Sequence, residues 1–583
     1  MSGRTIALAL EHHLLKKQGA VLRHVLPADL RGSLRRLARA VYLLWDARDY
    51  NRWMAAHLKR RQARYGGATM PGLLSIVTPV WDGTPIMYFR ALADTIIQQN
   101  AAGHSEWVVL NNGCQKGELL GYLEELQRHP WVSIRASPQN LGIIAGLRLC
   151  LEHARGRYIL PVDADDWLYP DCLEVVSWWI RETGFPPLLY SDEDKRIDTR
   201  AVQPYLKPDF DPVLLLNSAY IAHLGVIDRA TALELGAYSD KSTEGSADWD
   251  LFIRFFVAGK TTVHIPEVLY GWRMHPESTA DDAQSKPYIH TSQRAVLQRY
   301  LDLRGIAEDY TVEYSPFVNG TSDWWLERQH RRPWPAVMVS LVTGSNRGPN
   351  AGSLAKPPEY PDLKSLALPV DAGLGALQEI ASEALVCLVS DDLQIDRDDW
   401  LWDALALFEK HPDTVMVGGR IRNRRGEVMS AGLVLGFDGG AGCPDTGRPA
   451  IDPGYFAQMV KQRSVSAVSS QFAVVRASFL RELPADASIP FLGAWAGAAA
   501  LRLQKRIVYS PFLSAASSVE WDALVTAAER EAFQNANRDI LPDPRYYSRY
   551  LGLRPESAYK PGFVNHGQVR YGRRTDPQRP GAH

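Results

Sequence analysis

Residues 157–170 read Arg-Tyr-Ile-Leu-Pro-Val-Asp-Ala-Asp-Asp-Trp-Leu-Tyr-Pro, a short apolar run that ends abruptly in three carboxylates. Residues 158–162 predict a buried strand, and Pro170 with the helical apolar spacing after it predicts the first turn of a helix. The acids therefore follow the carboxyl end of a strand. Residues two apart in an extended chain point the same way, so we expect Asp163 and Asp165 to converge on one ligand.

A cation is the expected ligand of this acidic turn. Two carboxylates held close together repel each other unless a cation accompanies them, and hard divalent cations prefer oxygen ligands. An isolated Asp-x-Asp pattern is also common in solvated turns and helix caps. The rest of the sequence has to separate these two interpretations.

Composition describes a globular chain without a strong charge bias. The 583 residues are 46% hydrophobic and 22% charged, which is enough for two or three hydrophobic cores. The net charge of -1 gives no general reason to expect nucleic acid as a partner. The five cysteines lack any metal-binding spacing, which indicates reduced thiols in a cytoplasmic protein and no zinc site. Neither a signal peptide nor a run of about 18 apolar residues is present, so secretion and membrane spans are not predicted.

The first 70 residues are basic, with 14 Lys or Arg against 4 Asp or Glu. Leucines and valines recur at helical spacing between Leu30 and Leu44, with arginines on the other faces. A helix of this kind binds an anionic membrane surface peripherally or packs its apolar stripe on the next domain, and the sequence leaves both open. Residues 60–69 are predicted to be a linker.

From Leu73 onward, strand and helix patterns alternate, which predicts an open, mainly parallel sheet covered by helices. Such sheets bind ligands at the carboxyl ends of their strands. Pro79, Asn111 and Asp163 all lie at that edge. This convergence favours a binding site over a solvated turn.

Several blocks in a fixed order resemble the nucleotide-sugar half of a family 2 glycosyltransferase of the rhamnosyltransferase or O-antigen type, which has the GT-A fold. The blocks are Ser75-Ile-Val-Thr-Pro-Val, Leu110-Asn-Asn-Gly-Cys, Asn140-Leu-Gly, residues 154–166, Tyr190-Ser-Asp-Glu-Asp-Lys, Pro204-Tyr-Leu-Lys-Pro-Asp, Gly245-Ser-Ala-Asp-Trp-Asp-Leu and residues 270–279. Together they cover about residues 73 to 280. An ordered series is a far more specific signal than Asp-x-Asp alone.

The resemblance implies metal-dependent, inverting transfer of a sugar from a nucleotide diphosphate to a hydroxyl. Asp165 would bind Mn²⁺ or Mg²⁺ as the cofactor, and His275 would add a nitrogen ligand. Asp163 would contact the ribose. Arg273 would contact a phosphate or pair with a carboxylate of the fold.

The nucleoside is expected at the ends of the first two strands, against Thr78, Pro79 and Asn111. Many family members carry Asp where this sequence has Asn111, although an amide can still donate to and accept from a pyrimidine edge. The base contacts of the family therefore do not transfer directly to this position.

The resemblance also supplies a general base. Asp248 matches the family position that accepts the proton of the acceptor hydroxyl, whereas the Glu that usually precedes it is Ala247 here. Trp249 would form a wall for the acceptor sugar or belong to the core. Asp250 is expected to be a structural partner.

Three other functions compete with sugar transfer. A glycosidase needs two carboxyls flanking the scissile bond, and Asp163 and Asp165 are too close in sequence for that. A nucleotidyltransferase would carry a Gly-rich, Arg-bearing phosphate loop after the first strand, and this sequence has no such loop there. The main alternative is a non-catalytic glycan-binding or scaffold protein built from retired glycosyltransferase domains.

The pattern restarts at Ala336, which predicts a second GT-A-like copy. The copy keeps Asp391 and Asp392 after its central strand, where they would cap the strand end or hold a metal. It has Ala496 opposite the family's acid pair, so we expect it to be degenerate. Residues 346–360 predict a loop. The expected domains are a basic helical region (1–70), a catalytic GT-A domain (71–315), the degenerate copy (335–545) and a C-terminal extension with a basic tail (546–583).

The predicted acceptor is a polysaccharide or lipid-linked glycan of the O-antigen or capsule type, and dTDP-rhamnose is the first donor to test. These expectations rest on family analogy alone. A cytoplasmic location, with peripheral contact to the inner face of the cell membrane through residues 1–70, and a homodimer complete the prediction.

Overall fold

The computed structural model describes residues 28–274, 288–317, 323–343 and 360–562, with side chains in the first range from residue 47. His275, residues 346–359 of the predicted loop and the basic tail lie outside these ranges. The strands of the first sheet are β1 (Leu74–Val80), β2 (Glu106–Asn112), β3 (Val132–Ser137), β4 (Tyr158–Pro161), β5 (Trp167–Leu168), β6 (Leu188–Ile197), β7 (Arg200–Tyr205), β8 (Gly225–Asp228) and β9 (Thr262–Arg273).

The first sheet has the strand order β3-β2-β1-β4-β8-β6-β9-β5, with β7 paired to β6. β1 runs parallel to β2 and β4, and β2 runs parallel to β3, so the carboxyl ends of these four strands meet at one edge. β8 is antiparallel to both β4 and β6, whereas β6 and β9 are parallel. The sheet is therefore parallel in its first half and mixed in its second.

A short hairpin, β10 (Tyr310–Tyr314) and β11 (Trp324–Arg328), leads to a second sheet. Its strands, with two short neighbours, are β12 (Ala336–Val342), β13 (Lys364–Pro369), β14 (Leu385–Ser390), β15 (Gln394–Ile395), β16 (Thr414–Asn423), β17 (Val428–Ser430), β18 (Val434–Leu435), β19 (Ala441–Gly442), β20 (Arg463–Val465), β21 (Phe472–Arg476) and β22 (Arg506–Ser517).

The second sheet repeats the first without a counterpart of β3. Its order, β13-β12-β14-β21-β16-β22-β15, corresponds to β2-β1-β4-β8-β6-β9-β5. The parallel and antiparallel pairings recur at the same places. The predicted fold class, two tandem GT-A-like α/β units with a helical N-terminal extension, is confirmed, whereas the domain boundaries stay predictions.

Helices cover both faces of each sheet, and the sheet separates two apolar clusters. They are α1 (Ala28–Tyr65), α2 (Ile86–Gln99), α3 (Gly117–Leu126), α4 (Gly142–His153), α5 (Cys172–Glu182), α6 (Pro212–Leu215), α7 (Arg229–Glu234), α8 (Ala247–Val257), α9 (Tyr288–Arg304), α10 (Gly375–Gln378), α11 (Trp400–Lys410), α12 (Ala477–Leu480), α13 (Leu492–Arg502) and α14 (Ala527–Ala536). Val77 and Ile159 belong to one apolar cluster of the first unit, and Ile76 and Leu160 belong to the other. Alternate residues of each buried strand thus face opposite helical layers.

The predicted linker at residues 60–69 is wrong for its first part, because α1 continues to Tyr65. Arg61 is buried on this helix, where its Nε donates to Asp171 Oδ2 at 2.8 Å and its Nη1 donates to the Val268 carbonyl at 2.6 Å. The buried side chains of α1 recur every three or four residues: Ala47, Tyr50, Trp53, Met54, His57, Arg61 and Tyr65. From residue 47, the helix therefore packs its stripe on the first unit.

Glu267 of β9 joins α1 to the C-terminal extension. His57 Nε2 lies 2.6 Å from Glu267 Oε2, and the hydroxyls of Tyr65 and Tyr550 donate to Oε1 at 3.0 Å each.

None of the helices in the described ranges combines the length and apolar character needed to cross a bilayer.

Asp194 of β6 lies fully buried under α1. Tyr50 and Tyr169 donate hydrogen bonds to its Oδ2, while its Oδ1 faces Arg196 Nε at 3.9 Å and accepts no hydrogen bond from the described residues. Burial raises the pKa of Asp194 to about 6. The folded state therefore holds this proton more tightly than the unfolded chain does. Its contribution to the free energy of unfolding is present at low pH and is lost as the pH rises from about 4 to about 6.

We expect Asp194→Asn to remove this pH dependence. The shift is worth about 3 kcal/mol, so relative to the variant the wild type loses about that much stability between about pH 3 and about pH 7. Thermal unfolding across this range measures the difference. Asp198→Asn, at an exposed turn position, is the control. Parallel pH profiles for wild type and Asp194→Asn would contradict the assignment.

Candidate active site

The acidic stretch forms a turn at the edge of the first sheet. β4 ends at Pro161, and the Asp166 N–H donates to the Asp163 carbonyl at 3.2 Å. Asp163 is exposed, Asp165 is half-buried, and Asp166 is buried. The expectation that Asp163 and Asp165 lie in extended chain is wrong, because the chain turns between them. Their convergence on one ligand stays a prediction.

Asp166 anchors this turn to β9. Its Oδ2 accepts from the Tyr270 hydroxyl at 2.5 Å, and its Oδ1 accepts from the Arg273 N–H at 2.8 Å. Burial raises the pKa of Asp166, and the charges of Asp163 and Asp165 raise it further, against the two hydrogen bonds. Three acids thus share a site in which negative charge is poorly compensated.

His223 completes a group that sequence reasoning did not find. One ligand atom from each of Asp163, Asp166 and His223 lies within 4.8 Å of the others, and the His223 ring stacks on Tyr270 with centroids 4.6 Å apart. Asp165 is not part of this group. A histidine between two strand patterns carries no signal of its own, so only tertiary structure identifies it.

Asp248 lies in the first turn of α8, close enough to His223 for the two charges to interact. Burial raises its pKa, and the nearby His223 imidazole opposes that rise. Tyr238 interacts with both Asp248 and Asp163. Burial raises the pKa of its phenol, and the charges of these two carboxylates raise it further. The structure therefore brings Asp163, His223 and Asp248 together. Asp250 instead pairs with Arg254 at 2.8 Å and with Arg299.

The side chain of Thr78 does not reach the ligand edge, which corrects its predicted contact with the nucleoside. Thr78 is fully buried, and its Oγ1 accepts from Trp107 Nε1 at 3.1 Å. Pro79 and Asn111 are both half-buried at the edge. Asn111 Oδ1 accepts from the Cys114 N–H at 2.9 Å, so this amide shapes its own turn.

Trp81 presents the exposed aromatic face at this edge. It follows β1 directly and is 53% exposed. A Cβ at Gly83 would come within 2.1 Å of the indole ring, so glycine is needed for this packing. Asp82 Oδ1 fixes the neighbouring loop by accepting from the N–H groups of Gln115 and Lys116 at 2.9 and 3.1 Å.

Of the two roles predicted for Trp249, a wall for the acceptor sugar or a place in the core, the structure shows the core. Its ring is fully buried, and its Nε1 donates to the Leu215 carbonyl at 2.9 Å. Trp272 is half-buried and lies near the cluster instead, with its ring 5.8 Å from that of His223 and 5.5 Å from Lys195 Nζ.

Arg273 is folded over the acidic turn. Its Nε donates to the Asp165 carbonyl at 2.7 Å, and its Cζ lies 4.7 Å from the centroid of the Tyr88 ring. Burial lowers the pKa of Arg273, with Asp166 opposing that change. Its Nη2 is buried and makes no hydrogen bond within the described residues. These contacts are with a backbone carbonyl and an aromatic ring, so the two roles predicted for Arg273, a phosphate contact or a pair with a carboxylate, stay predictions.

The strand-end acids of the second unit accept hydrogen bonds from other residues of the same unit. Asp391 Oδ1 accepts from the Thr343 hydroxyl at 2.8 Å. Asp392 accepts from Ser390, Ser517 and Ser518, and despite its partial burial these hydrogen bonds lower its pKa. Ala496 is fully buried on α13. These contacts agree with a strand-end cap in a degenerate copy.

Fold and site together define a protein of two α/β units with a cluster of acidic side chains and a histidine at the edge of the first. The family model described as glycosyl transferase family 2 matches residues 75–185, from β1 to just beyond α5. The matched segment includes Asp163 and Asp166. The sequence-based resemblance is therefore confirmed.

Curated relatives extend over more of the chain. An uncharacterized protein, y4gI, of Sinorhizobium fredii is 27% identical over 69% of this chain and 48% of its own length. The O-antigen biosynthesis protein RfbC of Myxococcus xanthus is 25% identical over 68% of this chain and 33% of its own. The chondroitin synthase of Pasteurella multocida is 24% identical over 44% of this chain and 26% of its own. The chain thus spans about half, or less, of the length of these relatives.

A solved structure of S. aureus TarS, residues 1–349, in complex with UDP-GlcNAc has a TM-score of 0.33 and 16% identity, covering 41% of this chain and 72% of that one.

Proposed function

We propose that the first unit is an inverting glycosyltransferase that moves a sugar from a nucleotide-diphosphate sugar to a hydroxyl of a polysaccharide or lipid-linked glycan. The observation that carries this proposal is the convergence of Asp163, Asp166, His223 and Asp248 at the strand ends of the family-matched sheet. The names of RfbC and chondroitin synthase support a polysaccharide as the acceptor.

In the proposed reaction, Asp248 is the general base. The acceptor oxygen attacks the anomeric carbon from the face opposite the diphosphate, the bond from that carbon to the diphosphate oxygen breaks, and the hydroxyl proton passes to Asp248. Burial raises the pKa of Asp248, which makes its carboxylate a stronger base than a solvated aspartate. Inversion follows because one displacement occurs at one carbon.

Asp163, Asp166 and His223 fit a divalent cation. Oxygen ligands suit Mg²⁺ and Mn²⁺, and an imidazole favours Mn²⁺. The raised pKa of Asp166 beside two further acids is what a site built to share its negative charge with a cation would show. Such a cation supplies positive charge to the departing diphosphate. Asp165 and His275 stay predicted ligands, and Asp163 stays the predicted ribose contact.

A panel of nucleotide sugars tests the proposal. The full chain is heated with each donor, dTDP-rhamnose included, with and without Mn²⁺. We expect one donor to raise the unfolding midpoint mainly when Mn²⁺ is present, since ligand at about 100 times its Kd adds about 2.7 kcal/mol of stability. Released nucleoside diphosphate is then measured with glycan acceptors. A panel that gives neither stabilisation nor release would overturn the proposal.

The alternative, a non-catalytic glycan-binding scaffold, gives a different result in the same assay. A scaffold would bind glycan without releasing nucleoside diphosphate from any donor. The acids and imidazole that converge in the first unit favour catalysis, since the strand-end acids of the second unit are used as caps.

Trp81 is the best candidate for stacking on the nucleobase. Stacking of a base on an aromatic ring contributes about 1–3 kcal/mol, so we expect Trp81→Ala to raise the KM for the donor about tenfold with little change in kcat. Trp81→Phe should retain most of the affinity. Tyr314→Ala, which removes another half-exposed aromatic ring far along the chain, is the control. An unchanged KM for Trp81→Ala would exclude the stacking role.

Peripheral membrane contact is proposed for the basic residues before position 47. The stripe of α1 from residue 47 is covered by the protein, so a bilayer would have to be bound by the preceding part. We expect deletion of residues 1–46 to abolish sedimentation with vesicles of phosphatidylglycerol but not to change binding of nucleotide. Equal sedimentation of both proteins would count against membrane contact.

A further inference from the structure

The second unit grips one segment of the first, here called the bridging segment (residues 204–218). Tyr455 makes two of the contacts: its hydroxyl donates to the Pro204 carbonyl at 2.8 Å and accepts from the Leu206 N–H at 2.9 Å. The Tyr205 ring, between these two residues, stacks on Phe456 with centroids 3.9 Å apart. Side chain and backbone of this strand end are therefore both fixed by the second unit.

Further along the bridging segment, Asp211 is held in the same way. Asp211 is buried and caps α6, and it accepts from the Ser464 N–H at 2.7 Å and from the Ser464 hydroxyl at 2.6 Å. Gln462 N–H donates to Asn217 Oδ1 at 3.3 Å, and Lys461 Nζ lies 3.1 Å from Ser218 Oγ. A buried carboxylate satisfied from across the boundary leaves the two units little freedom to slide.

Lys207 connects the bridging segment to His223. It is buried, and its Nζ donates to the carbonyls of Ile221 and His223 and lies 3.3 Å from Glu193 Oε2. Glu193 Oε2 also accepts from the His223 N–H at 3.1 Å. The Lys207–Glu193 pair therefore holds both backbone polar groups of His223. Lys207 follows directly after Leu206, whose N–H donates to Tyr455.

We propose that the second unit is retained as a clamp that fixes the bridging segment and, through Lys207, sets the position of His223 toward Asp163 and Asp166. This inference rests on the proposed function of the first unit. It gives the degenerate copy a role that needs no ligand of its own. Tyr455, Ser464 and Lys207 are positioning residues in this scheme, and none of them contacts the reacting atoms.

Tyr455→Phe is the sharpest test, because it removes one hydroxyl and leaves the ring in place. Mn²⁺ binding to the full chain is measured from the free-ion signal in electron paramagnetic resonance, together with the unfolding midpoint and the kcat and KM for the donor. We expect Mn²⁺ affinity to fall about tenfold, the lower end of the range seen when groups that orient metal ligands are altered. Tyr509→Phe is the matched control, since its hydroxyl donates to the Met459 carbonyl within the second unit.

A second background separates positioning from general destabilisation. If Tyr455 acts through His223, Tyr455→Phe should weaken Mn²⁺ binding in the wild type but have no further effect in a His223→Ala variant. Equal effects in both backgrounds, or unchanged Mn²⁺ affinity in Tyr455→Phe, would overturn the clamp. The double variant Lys207→Met with Glu193→Gln, which leaves no buried unpaired charge, should reproduce the loss.

The two proposals fail in different ways. A wild type that binds Mn²⁺ through His223 but releases no nucleoside diphosphate from any donor would refute the glycosyltransferase and leave the clamp standing. A wild type that transfers sugar while Tyr455→Phe and Tyr509→Phe bind Mn²⁺ equally well would refute the clamp alone. A wild type that binds no Mn²⁺ would refute the clamp, and nucleoside diphosphate release would still decide the function.

Discussion

Replacing Asp248 with asparagine is expected to lower the kcat for sugar transfer by about a thousandfold, the middle of the range for loss of a general base. The amide cannot accept the hydroxyl proton, so the acceptor oxygen would have to attack while still protonated. Donor binding should persist, because Asp248 lies on α8 and not at the nucleoside edge. The measurement is steady-state release of nucleoside diphosphate, paired with thermal stabilisation by the donor.

Two controls make this result specific. Asp302→Asn changes an exposed carboxylate on α9 and should leave both readings unchanged. Because Asp248 is partly buried and its charged form is disfavoured there, the asparagine variant should fold with an equal or higher unfolding midpoint. Transfer by Asp248→Asn within about tenfold of the wild-type rate would show that another group accepts the proton.

Asp163→Asn is expected to weaken Mn²⁺ binding by at least about a hundredfold and to reduce transfer to a similar extent. The variant removes one charged oxygen ligand from the Asp163, Asp166 and His223 group. Asp163 is exposed, so the fold should tolerate the change. Removing its charge from beside Asp166 should also lower the pKa of that buried acid, which relieves part of its electrostatic cost.

The second unit supplies the matched control. Asp391 follows β14 as the Asp163 region follows β4, but its carboxylate accepts from Thr343. Asp391→Asn should therefore leave Mn²⁺ affinity and transfer unchanged and cost at most a little stability. If the two substitutions changed Mn²⁺ binding equally, the cation would not reside in the first unit.

The comparison of Trp81 with Trp249 explains why some site residues were predictable and others were not. Both tryptophans flank residues of the resemblance, and sequence reasoning selected Trp249 because it adjoins the proposed base. In the structure Trp249 fills the core, whereas Trp81 is exposed at the strand edge. The side of a helix that faces a sheet depends on the packing of distant elements, so proximity in sequence to Asp248 could not settle it.

The acidic turn shows the same limit of prediction from sequence, within four residues. The three acids and their place after β4 follow from the sequence. Which two of them converge does not, because Tyr270 and the backbone of Arg273, both on β9, turn Asp166 inward. Likewise, Arg61 was counted in a basic linker, but Asp171 and the Val268 carbonyl hold it in the core.

By itself, the sequence determined the alternation of strands and helices, the edge at which the acids gather, the duplication and the missing carboxylates of the second copy. These are properties of local spacing and residue type, which periodicity and chemistry specify within a few dozen residues. Only the tertiary structure decided that His223 joins Asp163 and Asp166, that Thr78 and Trp249 are buried, and that the second unit grips the segment leading to His223. Those facts depend on contacts between residues far apart in the chain, and a linear pattern does not record which distant surfaces meet.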